Sequence, residues 1–398
     1  MGDHYAELER LSDFIAPPYD VIAEPERARL AARSPHNIVH LILPQGNGDR
    51  YAEAARTISR WRSDGVLTPE TEPAVYVLAQ QFSTPDGRPR VRTGLLAGVS
   101  VEPYAGGRVR PHEKTHAEPK ADRLALMRAT RTMLESLFFL SPDRDGGLAS
   151  AVASVTSGPP WARASLSGVQ LTLWRVTGAG AGALAAAAGD TIYIADGHHR
   201  FETAVAYAKD QPGADRTPGL IVSVRDPGLV VLATHRLIHG AAIPPEHAAG
   251  ALGTAFHVEA MQREFDPAAA LAAGTPRGTR CLIALPGGAL LRLTLKAQAD
   301  LSRAGPGIAS RLDVARVDAL VVSRLRELAG PAAAVSYSAS PAEAVSLVRS
   351  GRLAGAVLLE PTRVDEVIAV ADAGEFMPQK STYFIPKVPS GLVLLPLP

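Results

Sequence analysis

The stretch TIYIADGHHRFETAVAYA, Thr191 to Ala208, sets the strongest limit on what this chain can fold into. An apolar, β-branched run meets an acid and a glycine, and apolar residues then recur at helical spacing. That pattern predicts a strand turning straight into a helix, and such a strand must be covered by other elements on its faces. The same alternation recurs elsewhere. PERARLAARS and RYAEAARTISRWRSDGVL predict amphipathic helices, the second closed by Asp64 and Gly65. AVYVLAQQFS and RTGLLAGVSVEPY flank the turn segment TPDGRPR and predict a hairpin.

Further along, ADRLALMRATRTMLESLFFL predicts one long half-buried helix, and SPDRDGGLASAVASVTSGPP a helix between flexible ends. VQLTLWRV predicts a strand, and TGAGAGALAAAAGD reads as a low-complexity linker. PGLIVSVRD and LVVLATHRLI predict two more strands. From about Pro244 a second alternation follows, with the strand pair RCLIALPGGALLRLTL, helices around VARVDALVVSRLREL, PAEAVSLVRSG and VDEVIAVADAG, and the strand AGAVLLEP. The expected class is α/β in the mixed α+β sense, with a boundary near residues 215–245.

With 398 residues and 46% hydrophobic content, the chain can bury a sizeable core and predicts two to three domains. Lys and Arg total 41 against 40 Asp and Glu, which sets up no long-range field for nucleic acid or an anionic membrane. A single cysteine, Cys281, excludes a disulfide framework and Cys-based metal sites, and points to a reducing, cytoplasmic setting. The charged N-terminus lacks the apolar core of a signal peptide, and no apolar run approaches the roughly 20 residues that span a bilayer.

Several constellations could carry chemistry. His112, Glu113 and His116 in RPHEKTH match H-E-x-x-H, in which two imidazoles one helical turn apart hold zinc and the glutamate acts as base. Pro111 and Pro119 leave little room for the helix this needs. The segment reads instead as a polar loop, or as a carboxylate, Glu113, placed among cations. Gly178, Gly180 and Ala183, with Asp196 beyond them, fit a relaxed dinucleotide fingerprint, but the intervening helix is too short for that fold. In ADGHHR, the helix start at Gly197 offers backbone amides and a dipole to an anion. His198, His199 and Arg200 add donors, and Asp196 could hold Mg²⁺ or orient a histidine. The bland alternative is a capping Asp196 and one core histidine. Lys380, Ser381 and Thr382 in MPQKSTYFIPK suggest a phosphate or substrate cradle, and Tyr19 and Asp20 in APPYDVI sit in a rigid turn.

Taken together, APPYDVI, RPHEKT with PKADRL, IADGHHRFETA, THRLI and MPQKSTYFIPK resemble, in the same order, the DUF1015 family. Two of these segments are also similar to those of free serine kinases of the ParB/sulfiredoxin superfamily. The resemblance implies a ParB/sulfiredoxin-like nucleotide-binding core at 101–240, between an N-terminal α/β region at 1–100 and a C-terminal α/β domain at 241–398 that closes the site. It implies a kinase using ATP or ADP with Mg²⁺ to phosphorylate a free hydroxyl compound, L-serine above others.

Carried onto this chain, Glu113 is the implied base, with His198 and Arg200 also catalytic. Asp196, Gly197, His198, His199, Arg200, Lys380, Ser381 and Thr382 would hold nucleotide and phosphate, with Asp196 on the metal. His112, Thr115, Tyr19 and Asp20 would contact substrate. The 83 residues from Glu113 to Asp196 exceed the spacing in compact serine kinases, Ser381 replaces a threonine, and the N-terminal region has no counterpart there. The expected partners are the nucleotide and a small molecule, without nucleic acid or membrane, in a monomer or homodimer. A ParB-like nucleotide switch is the alternative, with a zinc peptidase behind it.

Overall fold

The computed structural model describes residues 2–46, 48–115, 117–261, 266, 271 and 278–398, without the side chains of 117–119. The chain divides into two compact units. The first comprises Met1–Pro111, Thr115–Val230 and Pro386–Pro398; the second comprises His112–Lys114 and Val231–Ile385. Both are mixtures of helix and strand, as expected of the α/β class. No helix among the described residues is long and apolar enough to cross a membrane.

The first unit is built on strands β1 (Ala74–Ser83), β2 (Pro89–Ser100), β3 (Val109–Arg110), β4 (Leu137–Ser141), β5 (Ala162–Leu166), β6 (Val169–Thr177), β7 (Ile192–Asp196) and β8 (Arg216–Ser223). Among the described residues they form one sheet in the order β3-β7-β4-β8-β2-β1-β6-β5. β3 runs parallel to β7 and β4 parallel to β8, while the other neighbours are antiparallel. β1 and β2 make the anticipated hairpin.

The helices of this unit include α1 (Glu24–Arg33), α2 (Arg50–Ser63), α3 (Ala117–Thr130), α4 (Gly147–Thr156), α5 (Gly178–Ala187) and α6 (His198–Asp210). Phe139, Ile192, Ile194 and Ile221 of the sheet pack with Leu148 and Val152 of α4, Leu184 of α5 and Phe201 of α6. Each such side chain contributes roughly 1.5–3 kcal/mol on burial, which pins the helices to that face.

Two expectations are corrected here. The long helix read from residue 121 onward ends at Thr130; Arg131 is left-handed at φ 46°, and Leu137–Ser141 is strand. LFFLS is buried at every position, which suits a central strand covered on both faces better than the stripe of an amphipathic helix. The supposed linker TGAGAGALAAAAGD is helix α5 over Gly178–Ala187. Alanine has the highest helix propensity, and Ala181 and Leu184 supply a buried contact that offsets the glycines.

In the second unit, β9 (His235–His239), β10 (Phe256–Ala260), β11 (Arg280–Leu285), β12 (Ala289–Leu295), β13 (Ala334–Ser338) and β14 (Gly355–Leu358) pair antiparallel in the order β10-β12-β11-β14-β9-β13. The alternation of side chains sends Ile238, Ile283 and Val357 into one core and Leu237, Leu282 and Leu358 into another, so the sheet is covered on both faces. The covering helices are α7 (Pro245–Leu252), α8 (Asp313–Val317), which continues through a π-helical turn at Asp318–Val322 into α9 (Ser323–Ala329), α10 (Pro341–Arg349) and α11 (Val364–Asp372). LVVLATHRLI, read as one strand, is interrupted between Leu232 and His235. There the Thr234 carbonyl accepts a bond from the Arg236 guanidinium.

Candidate functional site

The turn from β7 into α6 gathers the first group of candidate residues. The register of β7 against β4 shifts between Ile194 and Asp196, an irregularity of the kind that re-aims the side chain at a strand end. Gly197 follows at φ 99°, and a Cβ there would stand 3.2 Å from both Leu137 Cγ and Arg200 Nη2. Only glycine fits both constraints. Gly197, the N-cap residue of α6, has no side chain to cap the helix, and the first-turn amides and the positive end of the dipole lie at this turn.

Asp196 is the centre of a charge cluster. Lys387 Nζ lies 2.6 Å from Oδ1 and Arg200 Nη2 lies 2.9 Å from Oδ2. Burial by itself raises the Asp196 pKa, but Lys387 and Arg200 outweigh it and hold the carboxyl well below the usual carboxylate range. Arg200 is itself buried; its Nη1 donates to the Ser136 carbonyl at 3.0 Å and lies 3.8 Å from Glu135 Oε1. Burial works against its charge, yet Glu135 and Asp196 keep its pKa above the ordinary value. Arg200 thus contacts Asp196, Glu135 and the Ser136 carbonyl at once.

Glu135 extends the cluster. Its Oε1 accepts from the Tyr19 amide at 3.1 Å and from the Ser390 hydroxyl at 3.2 Å, and Arg123 stacks 4.1 Å from the centre of the Tyr19 ring. Through Glu135 the structure brings Tyr19 together with Arg200 and Asp196. Asp20 is exposed next to Tyr19, His198 is buried, and His199 is half-buried. Thr115 donates to Glu202 of α6 at 2.6 Å, alongside Lys120 at 2.7 Å.

Sequence reasoning did not single out Glu135 or Lys387. Lys387 closes the quoted segment MPQKSTYFIPK, and Glu135 is a lone acid before the buried run LFFL, a signal that it has a charged partner inside.

The second unit holds the remaining candidates. His112 is fully buried, with Nε2 3.2 Å from Thr382 Oγ1, and its carbonyl accepts the Met377 amide at 2.9 Å. Glu113 forms an isolated parallel bridge with Met377. The PHEK and MPQKST segments are therefore neighbours. Ser381 is buried, its hydroxyl donating to the Pro378 carbonyl and its carbonyl accepting from Thr362 at 2.9 Å. Lys380 is exposed and left-handed at φ 53°, and Lys114 Nζ lies 5.6 Å from the Phe376 ring centre.

The candidates thus divide: Tyr19, Asp20, Thr115 and Asp196 to Arg200 belong to the first unit, and His112, Glu113 and Lys380 to Thr382 to the second.

Neither metal expectation fits these residues. The zinc motif needs its histidines on one helix, whereas Glu113 lies in an extended bridge and α3 begins at Ala117; His116 lies outside the described residues. Among the described residues no three His, Cys, Asp or Glu side chains converge to hold a metal. Mg²⁺ requires open oxygen ligands, but each oxygen of Asp196 already carries a cationic partner. The donor set does not make a resident Mg²⁺ site.

No curated protein matches the chain. Solved structures similar to it include a conserved hypothetical protein from Pyrococcus furiosus, at 12% identity and a TM-score of 0.38, covering 74% of this chain and 93% of that one. A free serine kinase in complex with AMP has 11% identity and a TM-score of 0.39, covering 73% of this chain and 87% of its own. SbnI with C-terminal truncation from Staphylococcus aureus has 13% identity and a TM-score of 0.40, covering 76% and 87%. Likenesses this distant leave the chemistry to be argued from the chain's own residues. The family described as protein of unknown function (DUF1015) matches residues 2–315, a span that holds APPYDVI, RPHEKT, IADGHHRFETA and THRLI and ends before MPQKSTYFIPK. By that match over most of its length, the chain belongs to the DUF1015 family.

Proposed function

We propose that this protein is a small-molecule kinase, built on a ParB/sulfiredoxin-like core, that transfers a phosphoryl group from ATP or ADP to the hydroxyl of a free small molecule, with L-serine as acceptor and O-phospho-L-serine as product. The observation that carries the reading is the charge cluster at the start of α6, where Lys387 and Arg200 converge on Asp196.

Phosphoryl transfer has little covalent chemistry for a protein to perform; it needs positioning and neutralisation of the charge on the moving group. The α6 amides, Lys387, His198 and His199 supply neutralisation, and Asp196 and Arg200 keep Lys387 in place. On the acceptor side, Glu113 takes the hydroxyl proton as the serine oxygen bonds to the terminal phosphorus and the bond to the departing ADP or AMP breaks. Lys380 and Thr382 meet the transferred group. His112, Thr115, Tyr19 and Asp20 are assigned to the substrate. Any Mg²⁺ would come with the nucleotide rather than reside on Asp196.

Incubation of the protein with ATP or ADP and, one at a time, free amino acids and polyols tests this. The expected result is nucleotide consumption that depends on a single class of hydroxyl compound, with serine the strongest. Consumption indifferent to the acceptor would overturn it in favour of a nucleotide-hydrolysing switch.

A further inference from the structure

The THRLI segment has no part in the chemistry above, yet it places a buried cation held by several bonds, Arg236, in the second unit. Arg236, on β9, is 1% exposed. Its Nε and Nη2 donate to the two oxygens of Asp318 at 2.8 and 2.9 Å, a bidentate fork. Its Nη1 donates to the carbonyl of Thr234 and, at 3.3 Å, to that of Lys380. The guanidinium carbon lies 5.5 Å from the centre of the Tyr337 ring. Asp318 opens the π-helical turn, a local widening that re-aims a side chain and recurs at functional sites.

Two physical points give this arrangement a purpose. A buried ion pair is weak evidence for stability, because its desolvation cost offsets most of its attraction; what it secures is geometry. Lys380 is a non-glycine residue at φ 53°, a conformation that has to be held by its surroundings. The Arg236 bond to the Lys380 carbonyl is a hold of that kind.

We propose that Arg236, braced by Asp318, is a positioning residue that fixes the Lys380 to Thr382 turn and so the direction in which Lys380 presents its ammonium group. The role of that ammonium in phosphoryl transfer rests on the kinase reading above; the fixing of the turn does not. Lysine cannot replace the arginine, because a single ammonium cannot span two carboxylate oxygens and two carbonyls at once.

The test uses the whole chain as Arg236→Lys and as the near-isosteric Asp318→Asn, which keeps the arginine and guards against a misfolded first variant. Limited trypsin digestion is followed by mass spectrometry at the Lys380–Ser381 bond, relative to cleavage after Lys209 in the first unit. Transfer to serine is measured in parallel. Expected are about tenfold faster cleavage at Lys380 in Arg236→Lys, a smaller rise in Asp318→Asn, and a kcat lowered about tenfold with acceptor KM within about twofold, since Lys380 acts on the transferring group. Wild-type cleavage rates in both variants would overturn the proposal, as would a loosened turn with unchanged kcat. A loosened turn in a protein whose wild type phosphorylates no hydroxyl compound would uphold the anchoring by Arg236 and sink the kinase reading.

Discussion

Asp196 shows how little of a site's chemistry resides in one residue type. A carboxylate at the end of an apolar strand could cap a helix, bind a metal or orient a histidine; here Lys387 and Arg200 each take one of its oxygens. Its depressed pKa makes a signed prediction. A carboxyl whose folded pKa lies below its unfolded value of about 3.9 contributes stability that is fully present above that value and is lost as the pH falls through the folded one. Replacing Lys387 by Met should cost about 2 kcal/mol at pH 7, in the range for removing one partner of a largely buried charge pair. The difference from wild type should shrink below about pH 4, where Asp196 in the unfolded chain is protonated. Urea unfolding of both proteins from pH 3 to 7 measures this, and a difference independent of pH would mean that the Lys387 stem, not its charge, matters.

Among the elements, those with a clear period were legible and those without one were not. The strand Ile192–Asp196 and helix α6 follow directly from the β-branched run, the glycine and the helical spacing after it. α3 was overextended because Met133, Leu134 and Leu137 continue a helical rhythm by chance, and the sequence carries no mark of the left-handed Arg131 that stops it. β5, β10 and β13 escaped notice because they are short and lean on neighbours: ARASL and AVSYS are weak strands until β6 and β9 supply their ladders. α5 was mistaken for a linker because composition hid its packing. Leu184 is 3% exposed in the sheet-facing core, so Leu184→Ala should destabilise the protein by about 2–5 kcal/mol, as for other buried leucines. A flexible linker would tolerate it, and thermal or urea unfolding distinguishes the two.

Across the whole molecule, the motifs were legible in the sequence, but which of them meet within each unit was not. The sequence reading puts PHEK, ADGHHR, MPQKST and APPYDVI into one site; within the second unit His112 meets Thr382, and within the first Tyr19 joins Arg200 through Glu135. Glu135, Lys387 and the Arg236–Asp318 fork could not be read because their partners lie 65, 191 and 82 positions away and meet only in the folded chain. Near-neutral net charge leaves any anion site to such local clusters.

Glu113 as base and the start of α6 as phosphate site are proposed roles that can be tested separately. Glu113→Gln keeps shape and removes the proton acceptor. Phosphorus NMR of the wild type with nucleotide and serine should show O-phosphoserine accumulating, while Glu113→Gln should lose at least about a hundredfold in rate and still bind nucleotide within about twofold of wild type. A fully active Glu113→Gln protein, or a wild type that forms no phosphoserine, would contradict the account.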